Sequence, residues 1–448
     1  VTSPTVHQVP FRGRRETEAP LTWGQQWIWA LLRNAGEEDN DYNIVGSFEV
    51  PQDLQLTQEL CEETLSFFLS RHESLRTVIA TGPDGPYQHV LREGRLEYQL
   101  VALDTATRLP QAAASWSADF AARRFDFATE LPVRLVLFSF GGYVRAGVYV
   151  FSHLAVDWHG LHCLLDEIRC RLRGEPLGPD PDDEATPAGL AAWQASPAGR
   201  IRHARTLAHL ENLYREQPPL PLPDDPDGPG DGPLHLQARL TSPAAQAGAS
   251  RLATALGVTT SAVLHGTLAV LLRELTGRDR VDFQLTSSQR FTRTTRTMVA
   301  TLVLEGYFCV DVADARPEDV IRRCWSSAVT AHHNAGCDMA GFDELLARLG
   351  NGPDQPLRVG DYCFNDKRMD LDPGPVDPAA HLADLLRHSE LTWPQVTEKE
   401  PFYVVVDNDG DALEISLTFD TRHLSAAGAE KFLRGLELLI VQLADDGV

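Results

Sequence analysis

Val150-Phe151-Ser152-His153-Leu154-Ala155-Val156-Asp157-Trp158-His159-Gly160 marks a change of backbone. The residues leading into it, Tyr143 to Ser152, alternate in polarity and are rich in β-branched side chains, which predicts a strand. The residues after it place Leu161, Leu164, Leu165 and Ile168 at helical spacing, which predicts a helix that starts near Asp157 and stops at Gly174. His153 falls at the junction, where a side chain projects from the end of a rigid sheet. With Asp157 four residues on, it is a candidate general base. From spacing alone a core histidine bonded to backbone is the commoner reading.

Working outward, Val133 to Phe140 is a second alternating run, joined to the first by Gly141-Gly142. Two glycines between alternating runs predict a hairpin, because both tolerate positive φ. Residues 1–20 are polar and read as a surface arm. Thr22 is a plausible N-cap for a helix carrying Trp23, Trp27 and Trp29. Tyr42 to Val50 reads as a strand, Leu56 to Leu69 as a helix leading into Arg71-His72-Glu73, and short strands follow near 76–80, 86–91 and 97–102. His72 reads most simply as a structural histidine at a helix end. A helix is expected near 109–124.

Residues 175–188 have the composition of a linker, which places a boundary between lobes 1–178 and 189–448. A helix at 189–216 then runs into a proline-rich acidic strap at 218–228. Strand 234–240, helices 242–256 and 259–275, strand 281–286, a strand-rich region at 298–312 and a helix at 317–334 follow. Val359 to Asn365 reads as a strand, 402–407 and 412–419 as a hairpin, and 425–444 as a C-terminal amphipathic helix. The order of elements in the two halves is loosely similar, as expected of two related lobes.

The bulk numbers are those of a globular protein: 448 residues, 43% hydrophobic and 23% charged. Two domains or one bilobed unit are the natural expectation at this length. The net charge of −23, from 40 basic and 63 acidic residues, argues against nucleic acid or an anionic membrane as partner. An acidic partner would need a local basic patch. No run of 18 apolar residues is present, and Val1-Thr2-Ser3-Pro4 carries no signal-peptide pattern, so a cytoplasmic location is expected. Position 1 is Val rather than Met, as in a piece cut from a longer chain. The seven cysteines are scattered with no CxxC, which suits reduced thiols.

Other chemistries fit less well. Asp407-Asn408-Asp409-Gly410-Asp411 lacks the Glu that a calcium loop carries at its twelfth position, where Ser416 stands, so a hairpin turn is expected. His153, His159 and His162 lack a second cluster to complete a metal site, and no metal is expected. There is no glycine-rich phosphate loop, dinucleotide fingerprint or Gly-x-Ser-x-Gly elbow.

Several stretches together carry a resemblance. Thr22-Trp23-Gly24-Gln25-Gln26-Trp27-Ile28-Trp29 is similar to an opening SxAQxRLW motif, with Trp27 for the Arg. Arg71-His72-Glu73-Ser74-Leu75-Arg76-Thr77 matches RHExLRT throughout. Leu213-Tyr214-Arg215-Glu216-Gln217, with Leu220-Pro221-Leu222-Pro223, is similar to YWREQL…LPLP. Gly257 to Leu264, and Thr276-Gly277-Arg278-Asp279 on to Arg290, also follow the pattern. The chain thereby resembles the condensation domain of nonribosomal peptide synthetases, in the chloramphenicol acetyltransferase-like superfamily. The likeness runs from about residue 20 to the C-terminus.

The resemblance implies an α/β (α+β sandwich) fold, with two acetyltransferase-like lobes in a V around a central tunnel. It implies an acyltransferase that joins a carrier-protein-bound acyl or peptidyl thioester to an amine or hydroxyl acceptor in natural-product biosynthesis. The domain itself would bind no cofactor; the donor would arrive on a carrier's phosphopantetheine arm. In the family signature, HHxxxDG, the second His is catalytic, which assigns that role to His153. The Asp of the signature is Asp157, a structural residue whose family partner is an Arg, here Arg290. Asn365 falls where the family carries an Asn near the active centre. The first His is replaced by Ser152 and the Gly by Trp158, which stands where the family's Gly borders the acceptor's route. Met298-Val299-Ala300-Thr301-Leu302 also lacks the family's Gly and Asn. A second reading is a non-catalytic module, like the X-type domains that recruit cytochrome P450 tailoring enzymes. A third is an acyltransferase using free coenzyme A.

Overall fold

The computed structural model describes residues 3–36, 42–216, 222, 232–349, 361–369, 381–396 and 399–446. The chain begins with β1 (Thr5–Arg12), β2 (Thr17–Pro20), α1 (Trp23–Ala35), β3 (Asn43–Glu49), α2 (Gln58–Arg71), β4 (Thr77–Gly82), β5 (Gly85–Val90) and β6 (Glu93–Ala102). It continues with α3 (Leu109–Ala121), β7 (Val133–Phe140), β8 (Tyr143–Ser152), α4 (Trp158–Leu172), α5 (Pro187–Ala195), α6 (Pro197–Glu216), β9 (His235–Ser242), α7 (Pro243–Leu256) and α8 (Thr260–Thr276). Then come β10 (Arg280–Ser287), α9 (Arg293–Arg296), β11 (Leu304–Asp311), α10 (Pro317–His333), α11 (Met339–Arg348), β12 (Cys363–Asp366), α12 (Leu382–Leu385), β13 (Glu390–Thr392), β14 (Phe402–Asp409), β15 (Ala412–Asp420) and α13 (Ala426–Asp445). Helix and sheet are mixed throughout, as the expected fold class requires.

These elements group into two compact units, Val1–His203 with Ser288–Val303, and Ala204–Ser287 with Leu304–Val448. The expected lobes, 1–178 and 189–448, differ from the units over 189–203 and 288–303, which group with the first. α5 packs beside β2, and the 288–303 segment is bonded to the start of α4.

In the first unit a five-stranded sheet has the order β1-β6-β7-β8-β3, with β6 and β7 parallel and the other pairs antiparallel. β7 is buried over six successive residues because both faces of the sheet are covered. Val133, Leu135 and Leu137 join a core with Phe68 and Leu69 of α2 and Leu161 and Leu164 of α4. Val136 and Phe138 face the opposite core, with Phe120 of α3. Leu161 and Leu164, 1% and 2% exposed, anchor α4. Full burial of such side chains contributes roughly 1.5–3 kcal/mol each. The β7–β8 turn uses Gly141 and Gly142 at φ 62° and 84°, as the hairpin reading requires.

The surface arm expected at 1–20 is instead two strands. β1 pairs with β6 and buries Val9 and Phe11, while β2 joins the three-stranded sheet β2-β5-β4. The sequence reading missed them because their partners lie some 70–100 residues further along the chain. The single helix expected at 189–216 is α5 and α6, broken at Ser196-Pro197, where the proline lacks an N–H to continue the first helix. Of the strand-rich region expected at 298–312, only Leu304–Asp311 is strand. The strap expected at 218–228 lies outside the described residues, except Leu222.

The second unit holds a seven-stranded sheet, order β11-β10-β12-β14-β15-β9-β13. β14 alternates between buried and part-exposed residues, as a strand with one covered face should. Its core includes Phe283, Phe308, Phe364 and residues of α7, α8, α10 and α13. Asn408–Asp411 spans the β14–β15 turn, with Gly410 at φ 57°. Among the described residues, no single helix is long and apolar enough to cross a membrane.

Candidate active site

β8 ends at Ser152, and α4 begins at Trp158, so His153 occupies the turn between them. Asp157 is the N-cap of α4. Its Oδ1 accepts from the Gly160 amide at 2.7 Å, the bond a helix start needs. The same oxygen accepts from Arg290 Nη2 at 2.6 Å, and Oδ2 accepts from the amides of Leu302 and Val303 at 2.8 and 3.1 Å. The carboxylate therefore takes four donors while almost fully buried. Burial opposes its ionisation. The Arg290 charge and the amide bonds outweigh that and hold Asp157 below the usual carboxylate range.

Arg290 gathers the 295–300 loop. Nη1 donates to the carbonyls of Thr295 and Met298, and Nη2 to that of Ala300. That loop returns to the histidine, because Thr301 Oγ1 donates to the His153 carbonyl. Ser74 Oγ, in the Arg71–Thr77 stretch, donates to the Val299 carbonyl at 2.7 Å. Gln25, in the first turn of α1, donates to the Leu154 carbonyl at 3.3 Å and completes a capping box with Thr22. Three stretches distant in sequence thus fix the backbone on either side of His153.

Ser152 is buried, and its hydroxyl accepts from the Leu154 amide at 3.3 Å. It lines a small cavity with Ser74, Thr77, Ile79, Phe127 and Leu154. The indole of Trp158 lies against His162, ring centroids 4.5 Å apart, and the His162 ring is bonded to the Trp158 carbonyl. His159, in the same turn, is bonded to the Arg296 backbone. Burial first, then the Arg290 charge, push its imidazole below the ordinary histidine range. Asn365 belongs to the second unit, on β12, and donates to the Tyr403 hydroxyl at 2.9 Å.

His72 is a helix-end residue that closes α2 and bonds Glu167 of α4 at 2.9 Å; Arg71 bonds the same carboxylate at 3.0 Å. Burial disfavours charge on Glu167, but His72 and Arg71 hold it below the usual carboxylate range. Sequence reading did not find Glu167, Thr301, Ser74 or Gln25 as supports. Ser74, Gln25 and Thr301 lay inside quoted stretches, while Glu167 carried no local signal. Among the described residues, no group of three His, Cys, Asp or Glu is placed to hold a metal ion.

The condensation-domain family profile matches residues 15–305. The nonribosomal peptide synthetase CymA of Salinispora arenicola is 26% identical over 276 residues, 58% of this chain and 3% of its own length. The chain spans between 3% and 25% of the lengths of the curated relatives it matches. The condensation domain that mediates chain release from the enacyloxin polyketide synthase superposes with a TM-score of 0.73 at 20% identity, over 97% of this chain and 83% of that one. The X-domain from teicoplanin biosynthesis, solved in complex with OxyB, gives 0.67 at 17% identity, over 96% and 94%. At these identities the superpositions speak for the fold.

Proposed function

This chain belongs to the condensation-domain family, and from that premise we propose that it is an active acyltransferase which transfers a carrier-bound acyl group to an amine. The observation that supports this reading most is the intact clasp from Asp157 to Arg290, Leu302 and Val303, which fixes the turn bearing His153. The clasp also stabilises the fold, so it supports chemistry through what it holds in place, the turn that carries the retained His153.

The donor is a thioester on the phosphopantetheine arm of a carrier protein. The amine nitrogen attacks the thioester carbonyl, the carbon–sulfur bond breaks, and the proton lost by nitrogen ends on the sulfur. A thioester is already activated, so orientation of the two reactants supplies much of the acceleration, up to roughly 7–11 kcal/mol in favourable cases. His153 holds the amine and accepts its proton. Asp157 and Arg290 act through the backbone, as positioning residues. Trp158, where the family's Gly borders the acceptor's route, limits the acceptor to a small or free amine.

The replacements at Ser152 and Trp158 favour a second reading, a module that recruits a tailoring oxygenase to a carrier-bound substrate. His153→Ala separates the two. With an acyl-loaded carrier and an amine, the wild type is expected to release amide and the variant to lose it by about 10²–10⁴-fold, the range for removal of a general base. Equal product from both proteins would sink the acyltransfer assignment. Oxygenase binding without product from either would select recruitment.

A further inference from the structure

Helix α4 is anchored by its inner side. Gly160, Leu161 and Leu164 are buried, and the two leucines belong to the core shared with α2 and β7. Trp158 and His162 are only part-buried and stand outside that core. An indole is among the largest apolar groups a helix can offer a core, yet α4 does not spend it there. The two residues are four apart, so one side chain lies over the other on the same face.

Two contacts tie them together. The ring centroids are 4.5 Å apart, with the ring planes inclined at 59°. The His162 Nδ1 is also 2.9 Å from the Trp158 carbonyl oxygen. A carbonyl oxygen only accepts, so Nδ1 carries the proton and donates. That bond fixes the imidazole relative to the backbone of Trp158, and the fixed ring then forms a wall for the indole. Phe68 and His72 are likewise four apart, at the end of α2, but their rings are 6.1 Å apart and buried at 3% and 4% exposure. The His72 ring is engaged with Glu167. That pair fills a core, whereas the Trp158 pair stands part-exposed at the mouth of the turn bearing His153.

We infer that His162 is a specificity-determining residue, which holds the Trp158 indole in one orientation and so sets how bulky an amine is accepted. The inference rests on the role proposed above for Trp158 at the acceptor's route. A tryptophan in the first turn of a helix has no preceding turn to pack on, and without a neighbour its indole exchanges between rotamers. A ring contact of this kind biases a two-rotamer equilibrium by about 2–10-fold. His162 acts through Trp158, as a positioning residue.

The test uses the full chain with an acyl-loaded carrier, and methylamine and benzylamine as small and bulky acceptors. The readout is the ratio of their kcat/KM values. Trp158→Gly is expected to lower the preference for the small amine by at least about tenfold. His162→Ala and His162→Gln, which lose the ring, are expected to lower it about 2–10-fold, through the KM of benzylamine rather than its kcat. His162→Phe supplies a ring again and is expected to keep the wild-type preference. Adding His162→Ala to Trp158→Gly should change nothing further, because the two side chains act as one unit. Fluorine NMR of fluorotryptophan-labelled protein reads the hold without turnover. The signal missing from Trp158→Phe should move or broaden in His162→Ala and stay in place in His162→Phe. A preference unchanged or raised in His162→Ala and His162→Gln, while Trp158→Gly lowers it, overturns the role of His162 and leaves Trp158 as the gate. A preference unchanged in Trp158→Gly, or no product from the wild type with either amine, removes the underlying reading and the inference with it. Equal rate losses with both amines in all three His162 variants show a merely structural role and also overturn it.

Discussion

Asp157 caps a helix, neutralises a buried arginine and ties down a loop with one carboxylate. The functions are not separable, because the four donors share two oxygens. Asp157→Ala leaves the Arg290 guanidinium buried without its counter-charge, a change that typically costs about 3–5 kcal/mol. The expected outcome is a lower urea midpoint with little change in slope. A variant within about 1 kcal/mol of wild type, the size of an exposed pair, would show that solvent reaches Arg290. At this scale the sequence was only partly legible. Spacing offered Asp157 as a partner for His153, and the family resemblance pointed to Arg290 instead. The structure joins Asp157 to Arg290 across 133 residues, a separation that periodicity cannot read.

At the scale of elements, strand β8 and helix α4 were legible because their periods of two and 3.6 are clean and a capping Asp stands between them. The 298–303 segment was not. It looks like strand because it is apolar, yet side chains hold it, from Ser74, Asp157 and Arg290 rather than a sheet ladder. α4 lies so close to it that a Cβ on Gly160 would sit 2.6 Å from the Ala300 carbonyl oxygen and 3.0 Å from Arg290 Nη2. Gly160→Ala must push backbone aside, not a flexible side-chain tip. It is expected to cost about 1–3 kcal/mol, as overpacking does, and to lower turnover with it. Thermal melting and steady-state rates check both; an unshifted melt would mean the loop yields freely.

For the whole molecule, acid stability is set partly in the second unit. His265 on α8 is 2% exposed and packs against Phe283, Phe308 and Phe364 in the core of the second unit. Burial first pushes its imidazole down to about 3, with Asp366 opposing. The unfolded chain takes a proton there below about 6.5, whereas the folded chain does so only near 3. Between those values the unfolded state binds more protons, and stability falls by about 1.4 kcal/mol for each pH unit of acidification. Above about 6.5 the group contributes no slope. His265→Phe is expected to flatten the pH dependence of the urea midpoint between pH 6 and pH 4, a range set by those two limits. An equal slope in wild type and variant would assign the acid sensitivity to other groups.

The 288–303 segment also bears on the order in which the protein is made. The first unit does not end where its main run of chain ends, at His203; it needs a piece that follows β10 of the second. During synthesis Asp157 emerges 133 residues ahead of Arg290. At about 5–20 residues per second, that leaves its carboxylate without its partner for roughly 7–27 s. The turn around His153 therefore sets only once the 288–303 segment has been made, later than the rest of the first unit and while Leu304–Val448 of the second is still to come.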